Sequence, residues 1–138
     1  MAYGEDALAA EARIEVDVRI VRPKDGERID NKLRALRPVN TLCKLHIEGS
    51  ISRPPMERTK AIGSLFSTAR KVGRKLGVDL EESSTGGGSD GNFTAALGIP
   101  TLDGLGAVGE GAHAKHESIL LDRVVDRVAL LAGLVHEL

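Results

Sequence analysis

The chain contains few aromatic residues and almost no net charge. Only 2% of its 138 residues are aromatic, and tryptophan is absent. Modules that read single-stranded nucleic acid stack bases on aromatic rings, so this composition disfavours them. Nineteen basic residues stand against twenty acidic ones, and the formal net charge is −1. That balance gives no electrostatic footprint for DNA or an anionic membrane, and we expect neither as a partner.

Cysteine and long apolar runs are also scarce. The single cysteine, Cys43, excludes a disulfide within the chain. Its neighbours alternate between apolar and polar, which predicts a small buried thiol on a strand. No apolar run approaches the ~20 residues that span a bilayer. The N-terminus shows no basic region followed by an apolar one, as a secretory signal would. These absences favour a cytoplasmic location.

The hydrophobic pattern of residues 1–55 predicts a β-α-β unit. Residues 12–21 alternate strictly, which indicates a half-buried strand. Pro23, Asp25 and Gly26 indicate a turn, and a short helix is expected over 27–36. A second alternating run, 41–52, predicts another strand that ends before two prolines.

Residues 56–138 are predicted to form an α-β-α-β-α unit, and the whole chain an α/β fold. The expected elements are helix 59–76, strand 78–85, helix 90–97, strand 99–106 and helix 120–135. Gly77 and Gly98 are placed to end the first two helices. Each unit is short for an independent domain, which suggests a fragment of a larger protein or an assembly partner.

The densest stretch is "STGGGSDGNF", residues 84–93. No Gly-Lys-Ser/Thr follows, so it is not a Walker loop. Glycines remove side chains that would block a ligand, and free amides before a helix attract anions. Asp90 lies where a helix N-cap belongs. We therefore predict a cradle for a carboxylate or oxyanion over 85–92. The alternative is a solvent loop with a helix cap.

The same stretch also matches G-x-S-x-G, with Ser89 as a candidate nucleophile. Asp103 and His113 follow in the Ser-Asp-His order of a hydrolase triad. The fold that carries such an elbow needs a larger sheet than this chain can supply. A serine hydrolase is therefore the third hypothesis.

Two further features could bind ligands. In "HAKHE", His113 and His116 lie near Glu117, and zinc takes such ligands, although it needs three or four of them. Arg53 precedes two prolines, and a guanidinium held this way can bind a carboxylate through two hydrogen bonds. The alternatives are surface histidines and an exposed arginine in a linker.

Residues 85–119, "TGGGSDGNFTAALGIPTLDGLGAVGEGAHAKHESI", resemble the C-terminal signature of the zinc-dependent M-twenty metallopeptidases. That family includes glutamate carboxypeptidases, acetylornithine deacetylase and succinyl-diaminopimelate desuccinylase. Upstream, "EARIEVDVRI" and Arg53-Pro54 resemble parts of its lid, or dimerisation, domain. The resemblance implies half of a ferredoxin-like β-α-β lid over 1–55. It implies the C-terminal part of a zinc-exopeptidase-like catalytic domain over 56–138.

The resemblance also implies roles for individual residues. His113 matches a zinc ligand, and Arg53 matches the lid arginine that binds the substrate's carboxylate. The loop that lines the same site corresponds to Gly86, Gly87, Gly88 and Ser89. Asp90 would be structural, and Glu117 would orient the histidine loop. His116 lies outside the pattern.

The implied reaction is metal-assisted hydrolysis of an amide in a small carboxylate-bearing peptide or N-acyl amino acid. The resemblance implies two zinc ions, or cobalt or manganese, and a homodimer formed through the lid. The family's His-x-Asp and Glu-Glu ligands have no counterpart here, because Glu81-Glu82 lies at a different position. We therefore expect a fragment without a catalytic residue, inactive alone, with the general base upstream. The second hypothesis is a non-catalytic oligomerisation or regulatory module.

Overall fold

Helices make up most of the regular structure. The computed structural model describes residues 11–138. Its elements are α1 (Pro23–Arg34), α2 (Lys60–Lys75), α3 (Gly91–Ala96), β1 (Gly109–Glu110), β2 (Ser118–Ile119), a 3₁₀ turn (Leu121–Arg123) and α4 (Val124–Glu137). The two strands pair antiparallel, with Gly109 opposite Ile119 and Glu110 opposite Ser118. This mixture of helices and a small sheet is compatible with an α/β fold.

The boundaries of α2 follow from its capping residues. The Thr59 side chain accepts a hydrogen bond from the amide of Ile62 at 3.2 Å, which satisfies one of the free donors of the first turn. The helix ends at Lys75, and Gly77 then adopts a φ of +72°. Glycine tolerates that left-handed conformation, which side chains disfavour. The helix predicted over 59–76 is therefore confirmed.

The core lies between α2 and α4. Its buried members are Ala69, Val72, Leu130 and Leu134. The two helices approach closely, since a Cβ on Gly133 would lie only 2.6 Å from Cγ1 of Val72. At the end of the pair, Lys75 Nζ lies 2.6 Å from Glu137 Oε1. None of the helices within residues 11–138 is long and apolar enough to cross a membrane.

The start of α1 differs from the prediction. Residues 23–26 are not a turn, because the helix begins at Pro23. Proline suits the first helical position, where its missing amide hydrogen would have no partner anyway. Gly26 is buried, and a Cβ there would lie 2.8 Å from Ile20 Cδ1 and 2.9 Å from Ile51 Cδ1. The segments before and after α1 therefore pack on the same face of the helix.

The predicted strands 12–21, 41–52, 78–85 and 99–106 do not form hydrogen-bonded strands. Within the described part of the chain, β1 and β2 form the only sheet. Alternation shows which side chains share a face, but a strand also needs the backbone of a neighbour. The expectation of a buried Cys43 was wrong as well. Asn40 organises a turn there, and the thiol is exposed.

Candidate functional site

Arg53 lies directly against the glycine loop. A Cβ on Gly88 would be 2.6 Å from Cδ of Arg53, a separation that real side chains do not adopt. The guanidinium carbon is 5.2 Å from the centroid of the Phe93 ring, within range of a cation–π interaction. The arginine side chain remains 39% exposed. The fold thus brings two predicted binding features together and leaves the cation accessible to a ligand.

The loop satisfies much of its own hydrogen bonding. The amide of Gly87 donates to the Thr85 hydroxyl at 3.2 Å. The amide of Ser89 donates to Asn92 Oδ1 at 3.0 Å, and that of Gly91 donates to Ser89 Oγ at 3.1 Å. Within residues 11–138, the Gly88 amide has no hydrogen-bond partner. Some of the loop amides are thus already paired, and the Arg53 guanidinium is the main candidate group for binding an anion.

Ser89, not Asp90, acts as the cap of α3. Asp90 has a helical backbone (φ −67°, ψ −21°), and its carboxylate accepts no capping hydrogen bond. Capping residues usually have an extended backbone, which lets the side chain reach the following amides. Ser89 accepts from Gly91, while Asn92 accepts from the Ser89 amide. This reciprocal pair resembles a capping box, with asparagine in place of glutamate.

Asp90 instead lies near the candidate anion site. Its Oδ1 is 3.8 Å from Nη2 of Arg53, and its side chain is 99% exposed. An ion pair this open to water is weak. The carboxylate is nevertheless a local negative charge that an incoming anion would have to replace beside the guanidinium.

Three side chains make contacts at this site that the sequence did not single out, although Asn92 lies within the cradle predicted over 85–92. Asn92 also donates to the carbonyl of Pro54 at 2.8 Å, and Phe93 faces Arg53. Arg19 donates to the carbonyl of Gly86 at 2.6 Å. Asn92 could have been noticed, because it follows Ser89 by three residues, the spacing of a capping box. The partners of Arg19 and Phe93 are distant in sequence, and no local pattern predicts them.

His113 lies in the turn that joins β1 and β2. Its φ is +67°, a left-handed conformation that is uncommon for residues other than glycine. The turn is closed by hydrogen bonds from the Ala114 amide to Gly111 and from the Glu117 amide to Ala114. The imidazole is exposed. Among the described residues, no hydrogen bond joins the Glu117 carboxylate to His113, and the proposed orienting role of Glu117 stays a prediction.

The donors in this structure do not by themselves complete a metal site. Across residues 11–138, no group of three or more His, Cys, Asp or Glu side chains could hold a metal ion. Zinc needs three or four such ligands. The exposed imidazole of His113 is chemically suited to be one of them. Any remaining ligands would have to come from outside the described residues.

Two further groups near the loop already have partners. Glu82, half of the Glu81-Glu82 pair, binds Arg58 through two hydrogen bonds, one of them 3.1 Å long between Nη2 and Oε2. The hydrogen bond and the negative charge raise the pKa of the Arg58 guanidinium. Ser89 Oγ accepts from Gly91, and none of the imidazoles in the described part lies within hydrogen-bond distance of it. A serine nucleophile needs such a base.

Comparison of the chain with known proteins finds two relatives among curated sequences. Carboxypeptidase G2 of Pseudomonas sp. (strain RS-16) is similar at 26% identity over 138 aligned residues, which cover 95% of this chain and 32% of that protein. The uncharacterized protein YqjE of Bacillus subtilis (strain 168) is 33% identical over 69 residues, covering 50% of this chain and 18% of that protein. The chain thus spans a third or less of these curated relatives. No solved structure gave a significant match.

A family model decides the assignment, because it matches nearly the whole chain, from residue 4 to residue 137. The resemblance seen in the sequence is thereby confirmed. The chain belongs to the family described as peptidase family M20/M25/M40.

Proposed function

We propose that this chain forms the substrate-carboxylate site of a metal-dependent amide hydrolase. Membership of the family suggests a metal-dependent peptidase or hydrolase. The observation that carries the finer proposal is the contact between Arg53 and Gly88, in which the loop has no side chain where the arginine lies. The substrate class is a small peptide or N-acyl amino acid that bears a free carboxylate.

The proposed role of Arg53 follows from its surroundings. A guanidinium presents a planar pair of donors that matches the two oxygens of a carboxylate. The Phe93 ring supports one face of that plane at 5.2 Å, and the Gly88 amide is a nearby donor without a partner in residues 11–138. A carboxylate bound here would orient the rest of the substrate, so that its scissile amide is held at a defined distance from the site.

His113 would contribute one metal ligand in the complete enzyme. Its exposed ring, on a tight turn between two paired strands, is available to an ion. When bound, zinc or another divalent cation supplies Lewis acidity toward the amide carbonyl. The general base would belong to an upstream part of the complete enzyme, so this chain alone would be inactive. Residues 1–55 would form a lid through which two copies of the enzyme associate, in the cytoplasm.

Titration of the ¹⁵N-labelled chain with N-acetylglycine, followed by NMR, tests the carboxylate site. We expect chemical-shift changes at the amides of residues 86–89 that disappear in Arg53→Ala. The matched control is Arg13→Ala, which removes an equally charged, exposed side chain that pairs with Glu15 and not with the loop. Binding that persists in Arg53→Ala, or that is lost equally in Arg13→Ala, would contradict the proposal.

The ligand role of His113 needs a separate experiment. A single imidazole binds zinc weakly, so we expect zinc at high concentration to shift the imidazole NMR signals of His113 in the chain, and zinc binding in this turn to be lost in His113→Ala. His116→Ala is the matched control, since its ring packs on Gly111 in the same turn. Equal losses in both variants would contradict a specific role for His113. Measurable hydrolysis of N-acyl amino acids by the purified chain with zinc would contradict the expectation that it is inactive alone.

An interaction module is the second candidate, favoured by the exposed surface. The accessible area is 11964 Å² at a mass of 14.6 kDa, whereas a compact monomer of this mass exposes roughly 6,900 Å². The exposed apolar side chains include Ile14, Val16, Leu42, Val125, Val128 and Val135. By their spacing Val125, Val128 and Val135 share one face of α4, and an exposed apolar stripe of this kind usually marks a contact surface. Because both candidates can self-associate, analytical ultracentrifugation must be combined with the N-acetylglycine titration: a stable oligomer that binds no carboxylate would favour the module.

A further inference from the structure

We infer that Asn92 is a positioning residue that holds Arg53 in register with the glycine loop. Its partly buried side chain bridges two chain segments. Nδ2 donates to the carbonyl of Pro54 at 2.8 Å, and Oδ1 accepts from the amide of Ser89 at 3.0 Å. The inference rests on the proposed function, because it names the residue that keeps the two halves of the carboxylate site together.

On one side, the bridge fixes the backbone that carries Arg53. The Pro54 carbonyl belongs to the residue directly after the arginine, and the backbone of Arg53 is itself restricted because a proline follows. Anchoring Pro54 therefore limits where the arginine Cα can lie. The long arginine side chain loses less conformational freedom on binding a ligand when its base is held in this way.

On the other side, the bridge fixes the loop. The amide of Ser89 belongs to the peptide group that joins it to Gly88, so a hydrogen bond to that amide orients this peptide. Gly88 is the residue on which the arginine side chain lies, with Cδ 2.6 Å from the position a Cβ would take. One side chain thus determines the position of both surfaces that meet at the site.

The chemistry of the bridge requires an asparagine. The side chain must provide one donor and one acceptor on a short stem, and a carboxamide does both. Aspartate at pH 7 has acceptors only, so it could keep the bond from Ser89 but not the bond to Pro54. Leucine has a similar size and could form neither. These two substitutions separate the bridging role from the capping role within the loop.

The experiment compares Asn92→Asp and Asn92→Leu with the wild-type chain, using Asn31→Asp as a control. Asn31 is exposed on α1, so that variant makes the same charge change away from the site. Three quantities are measured by NMR: hydrogen exchange at the Ser89 amide, the ring-current shift of the Arg53 δ protons caused by Phe93, and the affinity for N-acetylglycine.

We expect Asn92→Asp to keep the Ser89 amide protected while the Arg53 ring-current shift is lost and binding weakens at least tenfold. Asn92→Leu should lose all three, which excludes a pure charge effect. An Arg53 ring-current shift that survives in both variants would overturn the inference, as would loss of Ser89 protection in Asn92→Asp. If the wild type binds no carboxylate but the Arg53 shift still depends on Asn92, the positioning role stands and the proposed function fails.

Discussion

Replacing Gly88 with alanine should disable the carboxylate site while leaving the fold intact. The added Cβ would lie 2.6 Å from Cδ, 3.2 Å from Nε and 3.4 Å from Nη1 of Arg53. The first of these separations is too short for any real contact. Since the arginine side chain is partly exposed and flexible, it would swing away while the backbone stays in place. Gly88 does not adopt a positive φ, so alanine itself is not strained there.

The size of the effect follows from what the displaced arginine would lose. A hydrogen bond to a charged group contributes about 1.5–3 kcal/mol. Tenfold in affinity corresponds to about 1.4 kcal/mol, so binding should weaken roughly 10- to 140-fold. The displaced arginine would also lose its cation–π contact with Phe93. At an exposed site such a contact contributes about 0.5–1 kcal/mol, so the free energy of unfolding should fall only slightly.

The assay is titration with N-acetylglycine, together with thermal unfolding to show that each variant is folded. Gly106→Ala is the matched control, because a Cβ at that position meets nothing within 4 Å and the backbone is not left-handed. We expect Gly106→Ala to bind like the wild type. Two results would refute the reasoning: unchanged binding by Gly88→Ala, or equal weakening by both glycine variants.

Three further predictions test the charge near the site, the core and the pH response. Asp90→Asn should strengthen N-acetylglycine binding by a small factor, about twofold, since the carboxylate that it removes lies 3.8 Å from the guanidinium but is almost fully exposed; weaker binding would contradict this. Leu130→Ala should lower the free energy of unfolding, measured in urea, by about 2–5 kcal/mol, because Leu130 is 0% exposed. Val125 is 74% exposed, so Val125→Ala should change that free energy by less than about 0.5 kcal/mol. Equal effects of the two substitutions would refute the assigned core. Lys75 lowers the pKa of Glu137 through a hydrogen bond and its charge, so the stabilisation is complete at neutral pH and is lost as pH falls below the usual glutamate value of about 4.3. Glu137→Gln should therefore unfold at a lower temperature than the wild type at pH 7 but at the same temperature near pH 2, measured by circular dichroism at low salt; a gap that persists at pH 2 would show that the pair is not its cause.

Helices were predicted better than strands, for a physical reason. The signals for α2 are local: Thr59 accepts from an amide three residues later, and Gly77 ends the helix by its own backbone freedom. Strand 12–21 has an equally clear alternation, but its hydrogen bonds require a neighbouring strand. In the described residues no such neighbour pairs with it. Periodicity therefore predicts a face, and the presence of a partner decides whether a strand forms.

The candidate site shows the same division. The individual members, Arg53, the glycine loop and His113, were recognisable from residue type and spacing. Asp90 was wrongly expected to cap α3. Its backbone is already helical, so the side chain that caps the helix is that of Ser89, one residue earlier, and backbone angles cannot be read from the sequence. The Asn92 bridge was missed, since one of its two partners, Pro54, lies on a different segment of the chain.

The amino-acid sequence by itself determined the family, the limits of the main helix and the residue types that could meet a carboxylate or a metal ion. These depend on interactions within a few residues or on an ordered motif. Only the tertiary structure decided that Arg53 lies on Gly88 and that Asn92 joins the two segments. Such contacts depend on how distant segments pack, and an alternating or glycine-rich pattern contains no information about which distant segment it will meet.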